Sequence, residues 1–232
     1  CALITFIPAL GAMGIFAWLV RNQAQPQKKF LGISAIFLVL SFIPDYLLIG
    51  HITHDVTPDG PRLGGTVSYG AHTAAAFGIR VGILTSARPD EPLLNDLPDD
   101  VMVLNIPAEH TTTFENIYGP SGRTQYLHHR ANTLTPDMLP ERWRKAPLVH
   151  LAPLCWEVDA TFFSAFPHSR ICVTPQGYMR HREPDGLIRP IPWADAPSLL
   201  PLTHLAVMSE EDIAHDPGLE RTFSLLAPLL AL

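Results

Sequence analysis

Tyr46-Leu47-Leu48-Ile49-Gly50-His51-Ile52-Thr53-His54-Asp55 and then Gly64-Gly65-Thr66-Val67-Ser68-Tyr69-Gly70-Ala71 are the segments that decide how the chain reads. Tyr46 to Gly50 is a short apolar run closed by glycine, which predicts a buried strand. His51 to Leu63 reads as a polar loop. Thr66 to Phe77 is Ala-rich and stops at Gly78, which predicts a helix with a glycine C-terminus. Arg80 to Ser86 predicts the next strand. Strand, glycine turn, helix and strand form a βαβ unit, whose parallel strands need a sheet covered on both faces.

Outward from that unit the same alternation continues. Val101 to Ile106, Pro147 to Ala152, Arg170 to Thr174 and His204 to Met208 predict further strands of the sheet. A helical stretch is predicted around Glu157 to Phe166, and a last apolar helix over Leu219 to Leu230. Thr111 to Tyr118 and Arg123 to Arg130 alternate and flank Gly119-Pro-Ser-Gly122, which predicts a β-hairpin. Tyr178 to Arg182 and Leu187 to Arg189 flank a second turn at Pro184-Asp-Gly186. From Tyr46 onward the prediction is one α/β domain with extra antiparallel strands on one edge.

Composition narrows the function classes. Of 232 residues, 16 are basic and 22 acidic, a net charge of −6; from Tyr46 onward the counts are 13 and 21. An acidic balance argues against a nucleic-acid partner. A hydrophobic content of 47% is enough for a core and excludes a disordered chain. The 23 prolines argue against a helical bundle. Cys1, Cys155 and Cys172 cannot all pair within one chain, so reduced thiols are expected, with Cys155 and Cys172 in the core.

The first 45 residues differ from the rest. Cys1 to Val20 and Phe30 to Pro44 contain no charged residue, and Arg21, Lys28 and Lys29 lie between them. Twenty apolar residues rising about 1.5 Å each could just cross a hydrocarbon core of about 30 Å. Residues 1–45 therefore read as an apolar hairpin of two transmembrane helices joined by a basic cytoplasmic loop, with a buried core hairpin as the alternative. That topology would put both chain ends outside, away from ATP. The chain begins with Cys, and a remnant or fusion of a membrane segment is the expectation.

Gly50-His-Ile-Thr-His-Asp55 followed by Gly64-Gly65-Thr-Val-Ser-Tyr-Gly-Ala71 resembles the opening of the ribokinase-like sugar kinases of the phosphofructokinase-B type. Those proteins share a first strand, a Gly-x-x-x-x-Asp turn, and a Gly-Gly pair before a small-residue helix. Val173-Thr-Pro-Gln-Gly177 and Met208-Ser-Glu-Glu-Asp212 also resemble segments of that family. The resemblance covers 46–232 and implies a three-layer α/β sandwich with a β lid, the lid strands at about 111–130. It implies an enzyme that moves the γ-phosphate of ATP onto a sugar hydroxyl with Mg²⁺, in the cytoplasm. By the same resemblance Asp55, Gly64 and Gly65 line the sugar site, Phe114 and Asn116 touch substrate from the lid, and Asp212 supports magnesium.

Physical chemistry supplies reasons for these residue types and rivals to them. A carboxylate at the mouth of an open α/β sheet can accept charge-assisted hydrogen bonds from two sugar hydroxyls. Paired glycines let backbone approach a ligand, and a helix starting near Thr66 points free N–H groups at it. The bland readings are that Gly65 allows a turn, that Asp55 caps a loop, and that Phe114 and Asn116 pair across the hairpin. Ser209-Glu-Glu-Asp212 is equally a helix capping pattern. Tyr69 and Thr53 stand where the family often has asparagine, which leaves the sugar's identity open and a nucleoside as a rival acceptor.

His51 and His54 are three apart, but a strand-to-loop turn with no third ligand in sequence does not suit zinc. His128 and His129 point to opposite faces of one strand. No Gly-x-Gly-Asp helix start follows Met208 and no Walker-type loop occurs. The reading is thus the sugar-binding, N-terminal portion of such a kinase, C-terminally incomplete and inactive toward ATP by itself. Its uncovered last sheet edge predicts aggregation or a homodimer. A non-catalytic, membrane-tethered module that binds a polyol is the rival of a different class, and a truncated reading frame with no function of its own is a third.

Overall fold

The computed structural model describes residues 18, 20, 21, 25, 27–32, 43–120, 122–213 and 218–231. The chain divides into two units, Cys1–Ile43 and Pro44–Leu232. In the first, residues 27–32 are helical. The expected hairpin over 1–45 lies for most of its length outside the described residues. Among those described, no helix is long and apolar enough to cross a membrane.

The second unit opens with β1 (Tyr46–Ile49), β2 (Thr53–Thr57), β3 (Gly60–Gly64), α1 (Thr66–Ala76), β4 (Val81–Ala87) and β5 (Met102–Pro107). The hairpin β6 (Thr113–Gly119) and β7 (Gly122–His129) follows, then β8 (Leu148–Leu151) and β9 (Arg170–Val173). After the short pair β10 (Arg180–Arg182) and β11 (Ile188–Pro190) come α2 (Ala196–Leu199), β12 (Leu205–Val207) and α3 (Glu210–Ile213). α4 (Leu219–Leu226) and β13 (Leu230–Ala231) close the described chain.

Among the described residues, seven strands form one parallel sheet in the order β13-β12-β9-β8-β1-β4-β5. Period-two alternation splits β1 between two apolar layers: Leu47 and Ile49 face one, Leu48 the other. Leu48 packs with Val67, Ala71 and Ala74 of α1, whose small side chains let the helix lie close to the sheet. The opposite layer gathers Trp143, Phe162, Phe163, Tyr178, Trp193 and Phe223. Each large apolar side chain buried there contributes about 1.5–3 kcal/mol. The expected α/β architecture is present, with helical segments on both faces.

Five expectations change. His51 to Leu63 is not a loop: β2 and β3 pair there as a hairpin, and β2 also pairs parallel with β6. The lid is therefore a four-stranded mixed sheet, β3-β2-β6-β7, rather than two strands. Asp55 accordingly sits on a lid strand, opposite Arg62 and Phe114, instead of at the end of β1. The helix expected over Glu157 to Phe166 is a 3₁₀ segment, Ala160–Ser164, whose start Asp159 caps by accepting from the Thr161 amide at 2.8 Å. The last helix stops at Leu226, before Pro228, and β13 then adds an edge strand beside β12.

One buried polar chain crosses the sheet. The Tyr46 hydroxyl lies 2.6 Å from His150 Nδ1, and His150 Nε2 lies 2.8 Å from the Thr174 hydroxyl. Burial pulls the His150 imidazole down to about 4 from its ordinary 6.5. Between those values the unfolded chain binds a proton that the folded chain does not, so stability rises with pH across this window. Unfolding monitored from pH 7 to pH 4 is expected to lose about 3 kcal/mol through this group. A His150→Phe variant should show a correspondingly flatter profile, and an unchanged slope would remove His150 as its source.

Candidate functional site

β1 lies between β8 and β4, so the chain leaves the sheet in opposite directions on its two sides. The crevice beyond the carboxyl ends of β1 and β8 is the switch point at which open α/β sheets bind ligands. Directly after β1, Gly50, His51 and Ile52 carry the chain up into the lid strand β2, and Gly64-Gly65 bring it back to start α1. This excursion places Thr53 and Asp55 above the start of the helix.

The contact between the acid and the glycine pair is close. A methyl group at Gly64 would collide with the Asp55 carboxylate and the Thr53 hydroxyl. One at Gly65, where φ is +92°, would collide with the His51 carbonyl. Both positions thus require glycine, the second also because its backbone is left-handed. The Thr53 hydroxyl donates to Asp55 Oδ1 at 2.7 Å. Burial raises the Asp55 carboxyl above its ordinary value, against the lowering effect of the Thr53 bond and of His54 nearby.

A cavity of about 290 Å³ opens here, lined by Thr53, Asp55, Gly65, Thr66, Tyr69, Phe114, Asn116, Tyr118, Arg123, Gln125, Leu154, Gln176 and Arg180. The structure therefore brings Thr53, Asp55, Gly65, Tyr69, Phe114 and Asn116 together around one space, with Gly64 behind Asp55. Phe114 is buried against Leu127, Leu154 and Cys155 and forms an apolar wall. Asn116 pairs across the hairpin with Gln125, whose Nε2 donates to Asn116 Oδ1 at 2.9 Å. Tyr69 is 64% exposed at the rim.

A second cavity, of about 620 Å³, shares Arg123, Gln125, Gln176 and Arg180 with the first and adds Met179, Ile188, Arg189, Glu211 and Asp212. Arg180 donates to Gln176 Oε1 at 2.5 Å and to the Leu154 carbonyl at 3.3 Å, and no carboxylate bonds it among the described residues. Burial lowers its guanidinium from the ordinary value; Asp212 opposes that shift and Arg123 adds to it. Arg123 pairs with Glu211 at 2.9 Å. The sequence reading assigned no role to Arg123, Gln125, Gln176 or Arg180. The signal for Gln176, four residues before Arg180, lay inside Val173-Thr-Pro-Gln-Gly177.

Asp212 lies outside the smaller cavity, at the wall of the larger one. Its Oδ2 accepts from the Ser209 hydroxyl at 2.7 Å and from the Ser209 amide at 3.1 Å, while its amide donates to Ser209 Oγ at 3.3 Å. That is a reciprocal capping box at the start of α3.

His51 meets neighbours that its sequence position did not suggest. One coordinating atom each of His51, Cys155 and Glu157 lie within 4.8 Å of one another, all three buried. Both imidazole nitrogens are engaged, however. Nε2–H donates to the Asn132 carbonyl at 2.8 Å, which leaves Nδ1 to accept from the Thr112 hydroxyl at 2.6 Å. Burial lowers the His51 imidazole from its ordinary value, against the opposing effect of Glu157, and Glu157 is saturated by backbone amides. The cluster is a structural junction beneath the site.

No protein-family model and no curated protein matches the chain. A solved pyrophosphate-dependent kinase in the ribokinase family, in complex with sulfate, matches with a TM-score of 0.68. It is 22% identical, and the match covers 81% of this chain and 72% of that one. The fold is that of the ribokinase-like kinases. A pyrophosphate-dependent kinase of this family complexed with a pyrophosphate analog and myo-inositol also matches, with TM-score 0.68, 21% identity, and coverage of 81% and 72%. The fructokinase of Halothermothrix orenii matches with TM-score 0.51 and 13% identity, covering 81% and 79%.

Proposed function

We propose that the chain binds a cyclic polyol in the cavity under the lid and belongs to a kinase that phosphorylates one of its hydroxyls. The observation that carries this reading is the Asp55 carboxylate held against Gly64 in a cavity whose remaining polar lining is hydroxyl, amide and guanidinium groups. Such a lining matches a ligand whose whole rim is hydroxyl, and the carboxylate supplies strong acceptors for two of them. Phe114 and Tyr69 add flat apolar surface for the ring's C–H faces. A cavity of about 290 Å³ has room for a single polyol ring. Asp55, Thr53, Gly64, Gly65, Tyr69, Phe114 and Asn116 are the proposed substrate-binding residues.

The donor reading broadens beyond ATP, because the matched kinases at TM-score 0.68 are pyrophosphate-dependent. Both donors carry the same kind of linked phosphoryl oxygens, whose charge a divalent cation can neutralise. Asp212 fits hydrated Mg²⁺: Ser209 engages only Oδ2, and Oδ1 accepts no hydrogen bond among the described residues. Asp212 would hold the ion through water, and the ion would neutralise charge on the donor oxygens.

Isothermal titration of the full chain with myo-inositol, fructose and adenosine tests the acceptor class. Saturable heat is expected for a cyclic polyol and none for the nucleoside. Binding of adenosine alone would replace this reading by the nucleoside one.

A further inference from the structure

We propose that His110, His129 and Glu109, at the foot of the lid, bind a transition-metal dication of the zinc class, which ties the two ends of the lid hairpin together. His110 stands three residues before β6 begins, and His129 is the last residue of β7. Their ring centroids lie 4.3 Å apart, with the planes inclined by 31°. None of the three side chains lines either cavity, so the inference stands apart from the polyol reading.

A β-bulge brings the two rings together. Thr113 pairs with His129, but Phe114 pairs with Leu127, so His128 is the extra residue of β7. Strict alternation predicts His128 and His129 on opposite faces of the strand. The bulge overturns that expectation: both lie on the outer face of the lid, away from the buried Phe114 and Leu127. There His128 meets the Glu115 carboxylate at 2.8 Å, and His129 is the cross-strand partner of Thr113, on the same face as Glu115. His128 is thereby committed to Glu115, and His129 turns to His110.

The backbone under the pair is fixed, while the side chains are free to turn. Thr111 and Thr112, which follow His110, are both buried. The Thr111 hydroxyl donates to Glu91 Oε2 at 2.5 Å. The Thr112 hydroxyl accepts from the amide of Ala131, two residues past His129, at 3.0 Å. With its supports locked in this way, the site needs only rotation of exposed side chains to close on an ion. The donor set selects which ion. His110 Nε2 and Glu109 Oε1 stand 3.6 Å apart, too far for a hydrogen bond. Two ligands held about 2.0–2.2 Å from one tetrahedral zinc stand about 3.3–3.6 Å apart, so an ion fits between them. Two imidazoles and a carboxylate, with water in the fourth position, favour zinc, nickel or copper over magnesium.

Titration of the full chain with Zn²⁺ in competition with a colorimetric chelator tests the site. Zinc is expected to bind and to resist displacement by a ~100-fold excess of Mg²⁺. His110→Gln and His129→Gln should each weaken zinc binding about tenfold or more, because each removes a ligand outright. Glu109→Gln should weaken it about threefold, the effect of one exposed charge. His128→Gln should leave it within about twofold, since the partner of His128 is Glu115. All four positions are exposed, and thermal unfolding of each variant checks that the fold is kept. Cys155→Ser reports on the buried group of His51, Cys155 and Glu157. Zinc affinity that falls with Cys155 and ignores His110 and His129 overturns the inference. Absence of zinc binding, or affinity unchanged in both His110→Gln and His129→Gln, overturns it too.

Discussion

Asp55→Asn is expected to abolish polyol binding, by about 100-fold or more, without lowering the stability of the free chain. Two hydroxyl hydrogen bonds to a carboxylate contribute about 1.5–3 kcal/mol each, and an amide oxygen replaces only part of that. Asparagine keeps the volume that Gly64 accommodates and the oxygen that accepts from Thr53, so the packing at the glycine pair survives. The free chain behaves in the opposite sense. Burial raises the Asp55 carboxyl, so folding favours its protonated form, and stability from this group falls as pH rises above the ordinary 3.8 through the folded value. Asparagine removes that dependence, and the melting temperature of the variant at neutral pH should equal or exceed that of the parent. Polyol affinity of the parent should increase with pH across the same window, since the ionised carboxylate is the acceptor. Calorimetric titration and thermal unfolding on one pair of proteins read both signs. Retention of polyol affinity within about threefold would remove Asp55 from the binding residues.

The alternation of apolar runs with glycine-closed helices was enough to place the parallel sheet, because buried strands need uninterrupted Val, Ile and Leu. β1, β4, β5, β8, β9 and β12 all lie within a residue or two of their expected positions. The lid was less legible. Thr53-His54-Asp55-Val56-Thr57 has no apolar face to betray a strand, since one side of β2 looks into the cavity and the other toward solvent. Pro58-Asp59-Gly60 was the available signal: a proline and a glycine suited to a tight turn between two strands. Arg123 and Arg180 could not be paired from sequence, because 57 positions separate them and only the lid and the start of β10 bring them to one wall. Glu157 misled most. It stood at the head of an apparent helix, and its partners include His51, 106 positions away.

Glu157 is the residue whose loss should most disturb the fold under the site. Its fully buried carboxylate accepts from the Leu154 amide at 2.8 and 2.9 Å, from the Cys155 amide at 2.7 Å and from the His51 amide at 3.3 Å. Three amides on two separate segments thus share one acceptor. One segment is the exit of β1 toward Asp55, the other the exit of β8 that carries Leu154 into the polyol cavity. The loop between Leu154 and Glu157 folds back tightly through Trp156, held at φ +62°, which a non-glycine residue adopts only when its surroundings enforce it. Arg130 supplies the rest of that enforcement, donating to the Cys155 carbonyl at 2.9 Å and the Trp156 carbonyl at 2.8 Å. Glu157→Ala leaves three donors without a partner in a dry interior, each costing about 1–3 kcal/mol, and creates a cavity as well. A loss of about 3–5 kcal/mol in urea unfolding is therefore expected. Glu157→Gln should lose less, since its amide keeps one acceptor oxygen while its NH₂ faces donors. The order parent, then Gln, then Ala distinguishes an acceptor role from mere space filling, in which Gln would match the parent. Because the same carboxylate fixes the start of β2, polyol affinity should fall with stability in this series, whereas Asp55→Asn separates the two.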